Sequence, residues 1–422
     1  MKTFHLSPIA AVILLVHANV HAQTTDVLPE IKVNASRYTP TPQLTGDLSP
    51  AQLVTVRAST SDTASLLQDI AGVNLFSAGG VSSQPVIHGL ADDRLRIKVD
   101  GMDLLASCPN HMNPALSYLD PSQVGALTVY AGITPVSVGG DSIGGTILAA
   151  SPVAEFATAG QNRVVKGEMG TFYRSNNHAT GLNVAASYAS ETFNISYRGA
   201  SARADNYRAG DAFKSFTATG NAGKTQPLDE VGSTAYETRN HTLDLAWRGA
   251  TDLFEVKLGH QDLPYQLYPN QRMDMLGNTQ NRINLHYAGV KDWGSLDARW
   301  YSESVDHYMD FGPDKQFTYG TAPYVVASGM PMYTHGKTQG ASVKADIDSS
   351  ERDLMRLGAE LQTYRLNDWW PPSPADLTGM LFSAANPVQA TFAGMAPNTF
   401  WNINGGQRDR LATFAEWEAK WN

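Results

Sequence analysis

The chain has 422 residues, 42% of them hydrophobic, a net charge of −9 and a single cysteine. An acidic balance without any Lys/Arg cluster argues against a nucleic-acid partner. One cysteine in an exported chain cannot close an internal disulfide, so Cys108 is a thiol, a ligand or an intermolecular partner.

Residues 1–22 read as a secretory signal peptide: the apolar run Ile9 to Val16 follows Lys2 and His5 and precedes the small-residue pattern Val20-His-Ala22. The mature chain is expected to begin near Gln23. Beyond it no run approaches the ~20 apolar residues of a membrane helix. That excludes a helical membrane protein but not a barrel, whose strands alternate lipid-facing and lumen-facing side chains. Residues 23–53, rich in Thr, Pro and Ser, read as a flexible arm. Within it Ile31 and Val33 alternate with polar residues, the pattern of a strand that adds to the edge of another protein's sheet.

Residues 54–157 are compact and glycine-punctuated, which predicts a small α+β domain. A short amphipathic helix is expected over 64–71, ended by Gly72. Strands are expected over 73–76, 95–99, 124–130 and 146–150, with a hairpin turn at Asp100-Gly101.

From 158 to 422 the text changes to long alternating segments. Ten strands are expected, near 164–173, 178–190, 192–205, 237–248, 252–265, 280–290, 295–311, 337–348, 353–366 and 408–421. The links after the second, fourth, sixth and eighth are short, and those after the third, fifth, seventh and ninth are long. Short turns on one side and long loops on the other are the signature of an outer-membrane barrel. A soluble sandwich has no reason to alternate its links in this way.

The stretch Cys108-Pro-Asn-His-Met112 sets a thiolate and a thioether sulfur four residues apart, and such soft donors select Cu(I) and its neighbours. Pro109 and Pro114 stiffen the segment, and His111 lies between the sulfurs. The alternative is that both sulfur residues pack in a loop. A second soft pair is His307 with Met309. Both share the parity of Asp297, Arg299 and Glu303, opposite to that of Leu296 and Trp300, so they should point into the lumen near the extracellular end of the seventh strand. Met273, Met275, Met330 and Met332 are expected in long outer loops, where they could relay a soft ion or simply fill gaps. Gly140-Asp-Ser-Ile-Gly144 matches the nucleophile-elbow pattern, but the text after it continues as a strand rather than a helix, so Ser142 is not read as catalytic.

Leu28 to Ala35, the Leu66 to Val73 segment, Gly89 to Gly101 and Val138 to Thr146 together, in this order, resemble TonB-dependent receptors. The resemblance implies an α+β plug domain followed by an antiparallel transmembrane β-barrel in the outer membrane, contacts with outer-membrane lipid, and an energy-coupling TonB complex that grips the arm. It makes Leu28, Pro29, Glu30, Ile31, Lys32 and Val33 the TonB box. A barrel that houses a plug has about 22 strands, whereas about ten are present and the chain ends mid-strand, so a fragment of a barrel is expected. The two sulfur pairs further resemble the TonB-dependent copper receptors, in which a C-x-x-x-M motif of the plug meets an H-x-M motif of the barrel. On that resemblance Cys108, Met112, His307 and Met309 are the metal ligands, with His111 and the loop methionines as additional relays, and copper is the transported substrate. No bond is broken, so an enzyme is not expected. The rivals are a receptor for siderophores or other metal chelates, which would prefer aromatic and Arg residues over sulfur, and a surface-binding or adhesion barrel without transport.

Overall fold

The computed structural model describes residues 45–109, 111–139, 141–221, 223–315, 317–319, 325–327, 330–371 and 399–419. The signal peptide of 1–22 and the Leu28 to Val33 box lie outside the described residues. No described helix is long and apolar enough to cross a membrane.

The first domain begins earlier than its composition suggested. Residues 45–56, read from the sequence as the end of the arm and its junction, form strand β1 (Thr45–Leu48) and helix α1 (Pro50–Val56). Pro50 opens α1, where a missing N–H costs nothing, and Gln52 folds back to accept from the Ser49 N–H at 2.9 Å. Where a helix over 64–71 was expected, the chain makes a single 3₁₀ stretch, Thr63–Leu67, and turns at Gly72 (φ +81°). Asp62 fixes its start by accepting from the Ala64 N–H at 3.2 Å and the Ser65 hydroxyl at 2.8 Å. Strands β2 (Val73–Phe76) and β3 (Gln84–Ile87) then form a separate hairpin.

Strands β4 (Leu95–Val99), β5 (Met102–Asp103), β6 (Ala126–Ala131) and β7 (Gly145–Ala150) join β1 in one sheet of order β1-β6-β7-β4-β5. All its pairings are antiparallel except that of β4 with β7. In β6 every second residue is buried, so Leu127 and Val129 enter a core with Leu66, Leu67, Ile87, Val99 and Leu116. Between β6 and β7 the chain makes one helical turn, α2 (Val136–Gly139). Gly145 must be glycine: its φ is +132°, and a Cβ there would lie 2.2 Å from the Tyr130 carbonyl oxygen. Ser142 sits in this connection with its hydroxyl 3.1 Å from Thr146 Oγ1, ahead of a strand rather than a helix, which is not the elbow geometry.

The second part is one antiparallel sheet of ten strands: β8 (Val164–Arg174), β9 (Ala179–Ala189), β10 (Phe193–Ala204), β11 (Tyr236–Arg248), β12 (Asp252–Gln266), β13 (Asp274–Lys291), β14 (Gly294–Asp310), then, past the small hairpin β15 (Phe317–Tyr319) and β16 (Val325–Ala327), β17 (Met332–Asp348), β18 (Asp353–Trp370) and β19 (Phe400–Ala419). Sequence neighbours pair throughout, and β8 and β19 form its edges. The two faces have opposite character. On β11 the buried face carries Thr238, Asn240, Thr242 and Asp244, while Leu243, Leu245 and Trp247 lie on the other. The apolar outer face suits lipid, and the polar inner face packs on the plug. Trp247 lies against Phe193 and Phe254, with ring centroids 5.5 and 5.9 Å away, as an aromatic girdle at the short-turn end.

Candidate functional site

The hairpin turn between β4 and β5 anchors the plug against the sheet just before the sulfur-bearing loop. Arg96 on β4 bridges Asp103 (3.0 Å), Asp141 (2.7 Å) and Glu360 of β18, while Lys98 reaches Glu360 at 2.7 Å. Arg410 of β19 closes the network on Asp103 (2.5 Å) and Asp141 (2.9 Å). On the other side of the turn Asp100 receives Lys257 of β12 at 3.0 Å and both the N–H and hydroxyl of Ser151. Burial alone would raise the Asp100 carboxyl, but Lys257 and the two Ser151 bonds hold it well below the usual carboxylate range.

From Asp103 the chain runs directly to Cys108, whose carbonyl accepts the His111 N–H at 2.9 Å in a tight turn. His111 takes a φ of +54°, and its ring lies 3.3 Å from Asp92 instead of among the sulfurs. The relay role expected for His111 therefore finds no support in its placement. Met112, one residue on, is held from both sides: its carbonyl accepts the Tyr268 hydroxyl at 3.0 Å and the Ser82 hydroxyl at 3.1 Å.

Cys108 and Met112 from the plug then pack in one buried cluster with Met273, Met275, Met309 and Met332 from the barrel, and Met330 lies against its edge. Strand register explains the barrel side. Met275 of β13 is the direct partner of Met309 of β14, which in turn partners Met332 of β17. Directly opposed residues share a face with Cβ atoms about 5 Å apart, so three thioethers form a row across three strands. All three are at most 1% exposed, which marks the row as interior. Met275 and Met332 were expected in long loops; both instead sit at strand ends within this row, because β13 and β17 reach further outward than their sequence pattern indicates. Tyr268 points its hydroxyl toward Met275 Sδ at 4.0 Å.

His307 lies two residues below Met309 on the same buried face. Its Nδ1 is 3.3 Å from Asn278 Oδ1, and its Nε2 is buried with no hydrogen-bond partner. Asn278 also accepts from Asn113 of the plug at 3.3 Å, so the ring is placed jointly by both domains. An imidazole nitrogen without a partner in the interior costs about 1–3 kcal/mol, which a ligand would recover. Burial, and then the charge of Glu303, push the ionisation of the buried Tyr118 hydroxyl well above the ordinary range. Among the described residues no three His, Cys, Asp or Glu side chains converge as a cage. The cluster brings sulfurs together, with His307 two residues along β14 from Met309; sulfur and imidazole are donors that suit soft ions rather than calcium or magnesium, which want oxygen.

Residues 47–146 match the family description "TonB-dependent Receptor Plug Domain". No curated protein matches the chain. Among solved structures it is similar to the copper transporter OprC, at 21% identity and a TM-score of 0.65 over 79% of this chain and 48% of that one. It is also similar to the FrpB iron transporter from Neisseria meningitidis, at 16% identity and a TM-score of 0.63 over 90% of this chain and 56% of that one. A third similar structure is the ferric yersiniabactin uptake receptor FyuA from Yersinia pestis, at 13% identity and a TM-score of 0.51 over 88% of this chain and 61% of that one. The chain thus spans about half the length of these structures. Its fold is a plug domain followed by an antiparallel sheet of the barrel type, the architecture it shares with these structures.

Proposed function

We propose that a chain with this plug and barrel fold serves an outer-membrane, TonB-dependent receptor that binds copper between plug and barrel and admits it when the coupling complex pulls on the arm. The observation that carries the reading is the buried meeting of Cys108 and Met112 with the Met275, Met309 and Met332 row, beside the partnerless His307 Nε2. Copper here is the cargo. Sulfur and imidazole ligands bind it without hydration, and the donors come from both domains, so displacement of the plug would separate Cys108 and Met112 from the barrel donors and lower the affinity. Leu28, Pro29, Glu30, Ile31, Lys32 and Val33 are the segment assigned to the TonB partner.

Iron-transporting structures share the fold, so the fold does not choose the cargo and the donor set must. A chelate receptor needs aromatic and cationic groups facing an open vestibule, whereas the sulfur row is closed and apolar. Zinc is the nearest competitor, because thiolate and imidazole suit it, but thioethers add little to its binding. The test is metal content by mass spectrometry after equal exposure to copper. Cys108→Ala should abolish tight loading, and Met112→Ala, His307→Ala and Met309→Ala should each weaken it by more than the ~10–100-fold typical of residues that only orient ligands. Equal copper in the wild type and Cys108→Ala would return the chelate reading to first place.

A further inference from the structure

One residue beyond the methionine row, at the long-loop end of the sheet, a lysine side chain lies among oxygens that could hold a metal ion. Lys315, in the connection after β14, gives its ammonium to the Tyr268 carbonyl at 2.6 Å, Asp274 Oδ1 at 2.6 Å and the Met273 carbonyl at 3.4 Å. An ammonium has three N–H groups, so each finds one acceptor. Asp274, the first residue of β13, is wholly buried, and Lys315 is 15% exposed.

The backbone fixes the carboxylate of this pocket. The Tyr268 N–H donates to Asp274 Oδ1 at 2.7 Å and the Gly312 N–H donates to Oδ2 at 3.1 Å. A Cβ at Gly312 would lie 2.1 Å from Oδ2, so glycine is what lets the carboxylate come this close. Asp314, next to Lys315, accepts instead from the Ser233 N–H at 3.0 Å and Asn206 Nδ2 at 3.4 Å, which leaves Asp274 as the acid paired with the ammonium. The pocket abuts the sulfur cluster, because Met273 and Met275 flank Asp274 and are both buried in that cluster. Tyr268 joins the two: its carbonyl meets Lys315, while its hydroxyl donates to the Met112 carbonyl and lies 4.0 Å from Met275 Sδ.

A carboxylate oxygen and two carbonyls, completed by water, are the donors that calcium and other hard cations take. A buried carboxylate without a cation is costly, so such a pocket left open would draw one in. We propose that Lys315 is a specificity-determining residue: its tethered ammonium fills the oxygen pocket of Tyr268, Met273 and Asp274 and so denies it to hard divalent cations, leaving the sulfur row to soft ions. Tethering presents the ammonium at an effective concentration on the order of millimolar, against which a free ion must compete. The ammonium also carries one positive charge where a divalent ion would set two beside Met273 and Met275. The inference rests on the copper reading for the identity of the soft ion, whereas the filling of the oxygen pocket stands on its own geometry.

The test is sensitised terbium luminescence of the copper-free full chain in detergent, since terbium replaces calcium at oxygen sites and Tyr268 supplies the excitation. Lys315→Met keeps the apolar stem and removes the charge. Its half-saturating terbium concentration should lie at least about tenfold below that of the wild type, and calcium should displace the ion. Adding Asp274→Asn should abolish the gain. A lysine that only strapped two loops together would give no gain at all. Excess calcium should leave copper loading of the wild type unchanged and lower that of Lys315→Met severalfold. Equal terbium affinity in Lys315→Met and wild type, a gain that survives Asp274→Asn, or copper loading of Lys315→Met indifferent to calcium would overturn the proposal. Should Lys315→Met fail to fold in ion-free buffer, refolding decides. Recovery in calcium chloride but not in potassium chloride of equal ionic strength supports the pocket, and no recovery in either overturns it. The terbium readout involves no copper, so its failure leaves the copper reading standing, and a wild type that loads no copper leaves the terbium result standing.

Discussion

Replacing His307 by Phe separates what the site costs the empty protein from what it gives the loaded one. In the metal-free chain Nε2 is buried without a partner, at a cost of about 1–3 kcal/mol, and the 3.3 Å contact of Nδ1 with Asn278 returns no more than about 0.5–1.5 kcal/mol. Phe fills similar space with no polar atom to desolvate, and Asn278 keeps its contact with Asn113. The metal-free variant should therefore unfold at higher denaturant, by about 1 kcal/mol. Copper reverses the order. At a hundred times its dissociation constant a ligand stabilises the native state by about 2.7 kcal/mol, and the variant should lose most of that increment. The assay is denaturant unfolding in micelles for both proteins, with and without Cu(I). A metal-free His307→Phe chain less stable than wild type by 1 kcal/mol or more would show that Nε2 is satisfied in the native protein. A copper increment equal in both would show that His307 is no ligand.

Other consequences follow from the same geometry. Met275→Leu and Met332→Leu nearly conserve volume, so each should cost less than about 1.5 kcal/mol of stability while lowering copper retention; unchanged retention would make the thioether row a packing feature. The Asp100 carboxyl is depressed by Lys257 and Ser151, so it contributes stability above its unfolded value near 3.9 that is lost as pH falls through the folded value. Asp100→Asn should accordingly destabilise the chain near neutral pH, by about 3–5 kcal/mol if Lys257 stays buried without its partner, and should flatten the acid limb below about pH 4. Equal stability of mutant and wild type at pH 7 would refute the anchoring role. Ile31→Pro removes a backbone N–H from the arm, so uptake should stop while copper binding persists; undiminished uptake would move the TonB-box segment elsewhere.

The strands were legible in the sequence through the apolar band of the sheet's outer face, and less so beyond it. Their short-turn ends agree with expectation to within one or two residues, as at Asp252, Lys291, Asp348 and Asp353. At the opposite ends β13, β17 and β19 begin at 274, 332 and 400 rather than 280, 337 and 408. Beyond the lipid band both faces of a strand meet polar surroundings, so the apolar alternation that marks a strand fades. That extension is also what hid the methionine row. Cys108, Met112, His307 and Met309 stand out by local spacing, but Met275 and Met332 join Met309 only through register, a property of pairing across strands. His111 misled in the opposite way: adjacency placed it between two sulfurs, while a left-handed turn sent its ring to Asp92. Strand β1 went unrecognised because four residues, Thr45 to Leu48, become a strand only by pairing with β6.

X-ray absorption at the copper edge of the loaded protein reads the donor atoms themselves and so decides whether sulfur binds the metal. Copper held by this cluster should be Cu(I) bonded mainly to sulfur with one imidazole nitrogen, with sulfur scattering lost in Cys108→Ala and Met309→Ala. A shell of nitrogen and oxygen without sulfur would contradict it.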